Sequence, residues 1–234
     1  MNKNYQFYFT IFLLSLLNLG CVTIQPQLLD IPLIHEKNDL RIDGSASFVK
    51  GNIGGNVAYG VTDHLAVQLG GNVASLATGR HDYGQLAVGY YRNIPHNMVL
   101  EVYGGAGYGH GYTKNGLLRF EDHYNGNYQK VFSQINIGAL GEHLEGGLGL
   151  KSGFMQSSFF FGDFVSRDNY IQYRGERFRD DYFLIEPTAI IKFGFKNFKF
   201  NIKVGGLFMK NLTDKSRNIP YAPLNLGGGV TLDF

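Results

Sequence analysis

The sequence predicts an all-β protein: an antiparallel up-and-down transmembrane β-barrel of about ten strands, with eight as the alternative. Three observations predict it. From residue 39 onward, apolar residues alternate with small or polar ones at period two, so each strand carries two faces in different surroundings. The connections alternate between short turns and longer loops, the pattern of barrel strands that cross a bilayer and return. The strands run to about ten residues, enough to cross at a tilt of ~45°, and aromatic residues collect near their ends on the apolar face.

Applied along the chain, the parity predicts strands at 39–48, 52–61, 64–75, 83–92, 98–112, 128–139, 143–156, 182–194, 198–210 and 224–234. The last two are the plainest. Leu224, Leu226, Gly228, Val230, Leu232 and Phe234 share one face, opposite Asn225, Gly227, Gly229, Thr231 and Asp233. Phe198, Phe200, Ile202 and Val204 oppose Lys199, Asn201 and Lys203, and such a set cannot face one dry core. Short turns fall around Thr62-Asp63, Asn93 to Asn97, Gly141-Glu142 and Lys196-Asn197, and longer loops at 76–82, 113–127, 157–181 and 211–223. The eight-strand alternative arises if 39–61 forms a hairpin at the rim. A soluble sandwich or lipocalin-like barrel also alternates. Strand length, the terminal aromatic Phe234 and the two aromatic rims favour the membrane barrel. Tyr59, Tyr90, Phe193, Phe198 and Phe234 mark one rim, and Phe48, Tyr112, Phe154 and Phe208 the other.

Composition agrees. The 234 residues include 32 Gly, 19 Phe, 15 Tyr and no Trp, and 44% are hydrophobic, which excludes disorder. Lys and Arg total 21 against 19 Asp and Glu, so no net charge points to nucleic acid. With one cysteine, Cys21, neither an internal disulfide nor a cysteine zinc site can form.

The N-terminus has Lys3 and then an apolar run from Phe7 to Leu19, too short to span a membrane as a helix and suited to a signal peptide over residues 1–20. Its end, Leu17-Asn18-Leu19-Gly20-Cys21, resembles a bacterial lipobox, with Asn18 as a departure from the strict pattern. That resemblance implies a covalent lipid on Cys21. Residues 21–38, with two prolines and no clean periodicity, read as a tether between lipid and barrel domain 39–234. No acidic run follows Cys21, which by resemblance to other lipoproteins places the lipid in the periplasm-facing leaflet.

The segments Glu101-Val-Tyr-Gly-Gly-Ala-Gly-Tyr-Gly, Gly60-Val-Thr-Asp-His-Leu-Ala-Val-Gln-Leu-Gly and the terminal Gly-Gly-Val-Thr-Leu-Asp-Phe resemble those of small outer-membrane β-barrel proteins. Together with the lipobox, the resemblance is to Bacteroidota-type barrel lipoproteins. It implies a Gram-negative outer membrane, outer-membrane lipid as surroundings and the barrel assembly machinery as the partner for insertion. It is nearly silent on activity.

With the apolar face toward lipid, parity sends Arg41, Asp43, Glu101, Glu145, Lys151, Glu186, Lys192, Lys199 and Lys203 into the lumen, five cations and four anions. Buried charges need partners, so the balance predicts a salt-bridged, blocked interior. Ten strands leave little bore, and Tyr91 and Tyr103 narrow it further. The glycine cluster 107–111 lacks the following helix that a phosphate-binding loop requires.

Three function classes follow. The leading one is a non-enzymatic structural or accessory subunit of an outer-membrane secretion, assembly or uptake complex, with no cofactor beyond the lipid. The aromatic outer loops, carrying Phe120, Tyr124, Phe160, Phe164, Tyr170 and Tyr173, are the expected partner surface. The second is a narrow channel or a binder of small molecules or lipid. The third is a rim enzyme, omptin-like or lipid-modifying, built on His81-Asp82, Asp122-His123, Asp163 or Asp180-Asp181. No family motif surrounds those residues. The seven histidines are dispersed without metal-ligand spacing, and none follows His143 to serve as a base for the C-terminal third.

Overall fold

In the computed structural model of the chain, the described residues are 24, 31–48, 51–76, 79–116, 121–167, 170–215, 219 and 221–234. Residues 1–20, expected as a signal peptide, and Cys21 and Phe120 lie outside them. Eleven strands follow in order: β1 (Leu40–Ser47), β2 (Asn52–Gly60), β3 (Leu65–Leu76), β4 (Gly79–Ile94), β5 (Met98–Gly116), β6 (Glu121–Ala139), β7 (Leu144–Arg167), β8 (Tyr170–Phe195), β9 (Phe198–Gly206), β10 (Phe208–Asn211) and β11 (Leu224–Asp233). Each pairs antiparallel with its neighbour from β1 to β9, and β11 fits between β9 and β1. Arg41 stands opposite Asp233 and Ser47 opposite Gly227, and this seam closes the ring.

The barrel has ten strands, because β9 and β10 are one crossing interrupted at Leu207. The register against β8 is unchanged across the gap: Gly205 faces Thr188 below it, and Phe208 faces Ile185 above it. The interruption falls where two residues without an N–H flank it, Pro187 on β8 and Pro223 just before β11. The Leu207 N–H turns to the Pro223 carbonyl at 2.9 Å, and its side chain is buried inside the barrel.

The outer surface carries the large apolar side chains. Leu69, Leu86, Val131, Leu148, Phe154 and Ile191 are all more than half exposed. In water such a band would be untenable, whereas facing lipid it is the stable arrangement. Its edges are legible on β8. The Phe193 ring lies 6.0 Å from that of Phe200 on β9 at one rim, and the Phe183 ring 5.3 Å from that of Phe154 on β7 at the other. The ten steps along β8 from Phe183 to Phe193 span about 33 Å, or about 23 Å across a bilayer at ~45° tilt. One step beyond Phe154 the outward face turns polar, where Gln129 donates to Gln156 at 2.9 Å and Gln156 to Asp181 at 3.3 Å.

The four short turns stand where the sequence places them. The expected loops 113–127 and 157–181 do not: β5 and β6 run on to Gly116 and from Glu121, and β7 and β8 form a hairpin reaching Arg167 and Tyr170. The expected loop 76–82 is likewise mostly strand, with β4 starting at Gly79. Above the apolar band a strand needs no greasy face, so alternation of polar with aromatic residues looks like loop composition while the ladder continues.

Candidate functional site: an occupied lumen

All nine charges expected in the lumen are inside and no more than 3% exposed: Arg41, Asp43, Glu101, Glu145, Lys151, Glu186, Lys192, Lys199 and Lys203. Parity places them, and the closed ladder removes every one from lipid. They divide into three groups along the barrel axis.

At the turn end, Arg41 Nη1 donates to Glu145 Oε2 at 2.9 Å and its Nε lies 3.5 Å from Asp39 Oδ1. Lys199 Nζ sits 2.7 Å from Asp233 Oδ2 and 3.3 Å from Glu145 Oε1. His35 Nδ1 stands 2.9 Å from Asp39 Oδ2. The hydrogen bond to Asp39 raises the His35 pKa above its usual 6.5, against the opposing effect of burial. Burial pushes the Asp39 carboxyl up, but His35 and the Arg41 guanidinium outweigh it and hold the carboxyl below its ordinary value. A cavity of about 810 Å³ opens onto this network at the turn end, lined also by Asn93, Glu142 and Phe234.

Midway, Asp43 pairs with Lys203 and accepts from Asn201 Nδ2 at 2.7 Å and Thr231 Oγ1 at 3.0 Å. On the opposite wall Glu186 pairs with Lys130, and Lys151 donates to Gln85 Oε1 at 2.8 Å while resting 4.3 Å over the Phe132 ring. Lys130 is a lumen charge that the sequence reading missed. Its signal was available, since it shares parity with the buried Gln134 and Asn136.

Glu101 and Lys192 do something else. Mutual ion pairs hold the turn-end group and the Asp43–Lys203 and Glu186–Lys130 pairs, and Lys151 is bonded to an amide instead, whereas these two grip the chain's own backbone. Ile31, Leu33 and Ile34 are completely buried inside the barrel. The Ile34 N–H donates to Glu101 Oε1 at 2.8 Å, and the same carboxylate accepts from Asn136 Nδ2 at 2.9 Å and Tyr103 Oη at 3.1 Å. Lys192 Nζ donates to the Ile31 carbonyl at 2.9 Å and reaches that of Pro32 at 3.4 Å. The wall is hollowed to receive the segment. A Cβ added to Gly138 would lie 2.5 Å from Leu33 Cδ2, and one on Gly149 would lie 3.1 Å from Ile31 Cδ1. Leu33 has a φ of 62°, a left-handed conformation costing a leucine about 1–2 kcal/mol, and it is held by the bonds on either side. Residues 31–38, expected as part of a tether, therefore begin inside the barrel.

Toward the loop end the lumen is apolar and aromatic. Ile24, Met155, Phe159, Phe178, Tyr182, Leu207 and Ile219 form one buried cluster with Tyr83 and Tyr128. His81 is buried there, with Nε2 2.6 Å from Tyr128 Oη. Its neighbour Asp82 takes the opposite face of β4, 2.9 Å from Arg80 and 3.9 Å from His110. Asp180 is buried and Asp181 exposed, so neither adjacent pair forms a dyad. In the β6–β7 ladder Asp122 stands opposite Asp163 and His123 opposite Gly162. Among the described residues, no group of three His, Cys, Asp or Glu could hold a metal ion.

Of the aromatic partner candidates, Tyr124 is half-buried against the loop-end cluster, its ring 4.9 Å from that of Phe161. The Phe160 ring lies over Gly175 of β8. Phe164 stands opposite Tyr173 and Tyr170 opposite Arg167 in the β7–β8 ladder. Phe234 is two-thirds exposed at the turn-end rim, its N–H and carbonyl both bonded to Leu40 at 3.0 Å.

No protein-family model matches the chain, and no curated protein is similar to it in sequence. Solved structures are similar in fold. The outer membrane protease OmpT from Escherichia coli superposes with a TM-score of 0.53 at 10% identity, over 85% of this chain and 94% of that one. The N-terminal β-barrel domain of Pseudomonas aeruginosa OprF covers 85% of this chain and 98% of its own, at 13% identity and a TM-score of 0.38. The fold is that of outer-membrane β-barrel proteins.

Proposed function

We propose that this chain is an outer-membrane barrel lipoprotein without enzymatic activity, serving as a structural or accessory subunit of an outer-membrane complex. The observation that supports this reading is the lumen. Its turn-end half is filled by Ile31–Ile34, held through Glu101 and Lys192, and Arg41, Asp43, Glu145, Glu186, Lys199 and Lys203 are held in ion pairs. A barrel plugged by its own chain offers a solute no through-path, and its remaining assets are its outer surface and the hairpins that stand above the apolar band. The covalent lipid on Cys21 is part of the proposal and rests on the lipobox.

Planar-bilayer recording of the purified full-length protein, paired with mild-detergent purification from native outer membranes, tests it. The expected result is no stepwise conductance and a stoichiometric partner that co-purifies. Steady ion-conducting steps from the unaltered protein, or recovery of the barrel alone together with hydrolytic activity on peptide or lipid, would overturn it.

A further inference from the structure

The described N-terminal residues trace a path along the barrel axis. At one end, Ile24 forms a parallel bridge with Tyr221, and the Ala222 N–H donates to the Ile24 carbonyl at 3.1 Å. Tyr221 precedes β11 on the loop side. Ile24 is buried with Met155, Tyr182 and Leu207. Met155 and Tyr182 are paired next to Phe154 and Phe183, the loop-side edge of the apolar band. Ile24 therefore sits at the level of the outer rim.

At the other end, Ile31–Ile34 occupy the turn-end half of the lumen, and His35–Asp39 lie among the turn-end charges. There the chain reverses: the Asn38 N–H donates to the Gly60 carbonyl at 2.8 Å, the Asn93 side chain donates to the His35 carbonyl at 2.8 Å, and β1 climbs back from Leu40. Seven residue-to-residue steps lead from Ile24 to Ile31, a reach of at most about 25 Å. That suffices to join the positions of Ile24 and Ile31.

We infer that the N-terminal segment is an eleventh crossing of the membrane, made through the lumen, and that it delivers residue 21 to the loop-side surface. Three residues from Ile24 reach at most about 11 Å, so Cys21 stands within reach of the outer leaflet at the rim. A lipid on it enters that leaflet, opposite to the periplasm-facing expectation drawn from the missing acidic run. The inference deepens the proposed function, and its lipid component rests on the lipoprotein reading; the path of the chain does not. The barrel then acts as a conduit for its own anchor, and whatever the mature N-terminus carries is displayed outside the cell.

The test uses the full-length protein in intact cells. A short epitope directly after Cys21 is compared with the same epitope inserted between β5 and β6, at residues 117–120, and in the Gly141-Glu142 turn. The N-terminal epitope is expected to bind antibody on intact cells as the loop epitope does, with the turn epitope silent until the outer membrane is permeabilised. An N-terminal epitope that stays silent alongside the turn epitope overturns the inference. A second measurement avoids the insertion: the pair Ile24→Cys and Tyr221→Cys is expected to cross-link on mild oxidation, and a heat-modifiable, folded barrel that fails to cross-link overturns the path. Mass spectrometry of the N-terminal peptide separates the two readings. Surface display without acyl chains on Cys21 would defeat the lipoprotein reading while upholding the luminal path.

Discussion

Glu101 on β5 accepts the backbone N–H of Ile34 at 2.8 Å, a bond made inside the barrel between residues 67 apart in sequence. It ties the barrel wall to the segment that fills it, and three donors converge on the one carboxylate. Glu101→Ala orphans the Ile34 amide, Asn136 and Tyr103 together, at about 1–3 kcal/mol for each buried donor left unpaired. The expected outcome is a marked fall in the urea midpoint of the heat-modifiable folded form. Glu101→Gln keeps one acceptor oxygen and should cost less than half as much.

The Asp43–Lys203 pair supports a prediction of a different kind. Removing one partner of a buried pair leaves an uncompensated charge, at about 3–5 kcal/mol, so Lys203→Ala should be strongly destabilising. Lys203→Met combined with Asp43→Asn removes both charges and retains an acceptor for Asn201 and Thr231. The double variant should be more stable than Lys203→Ala alone, measured by the same urea titration. If instead the two changes add, the pair is not coupled.

Occlusion can be tested at Gly149. An added side chain there meets Ile31 and the Asn136 amide, both side-chain atoms, so Gly149→Leu should leave the barrel folded and expel the luminal segment. Stepwise conductance is expected in planar bilayers where the unaltered protein shows none. Adding Ile31→Gly, which vacates the same volume, should restore the block.

Period two was a reliable guide wherever one face meets lipid. Arg41, Asp43, Lys199 and Lys203 were assignable because Leu40, Ile42, Phe198 and Phe200 beside them have no other place to go. The same rule failed above Phe154 and Phe183, where both faces of β7 and β8 can be polar and the hairpin arms resemble loop. The luminal segment was illegible for another reason. Ile31-Pro32-Leu33-Ile34 has no repeat, and its partners Glu101, Gly138, Gly149 and Lys192 lie on β5, β6, β7 and β8. Each has an adequate local explanation as a lumen charge or a small wall residue, and only the closed barrel brings them to one place.

His35 and Asp39 close the turn end of that segment, and their shifted acidities set its pH dependence. The His35 pKa is raised in the folded protein, so its contribution is complete below the ordinary imidazole value and is lost as pH rises through the raised one. Asp39 is shifted down; its contribution is present above the ordinary carboxyl value and is lost as pH falls through the lowered one. The latch is therefore tightest from the ordinary Asp value up to the ordinary His value, and on the alkaline side it loosens through His35. Since His35 is 37% exposed, the effect is screened and modest. Amide hydrogen exchange at Ile34 should slow as pH is lowered from about 8 to about 6 by more than the intrinsic rate change requires. In His35→Gln, which keeps a hydrogen-bonding side chain and cannot titrate, only the intrinsic slope should remain. Parallel slopes in the two proteins would show that the imidazole charge does not hold the segment.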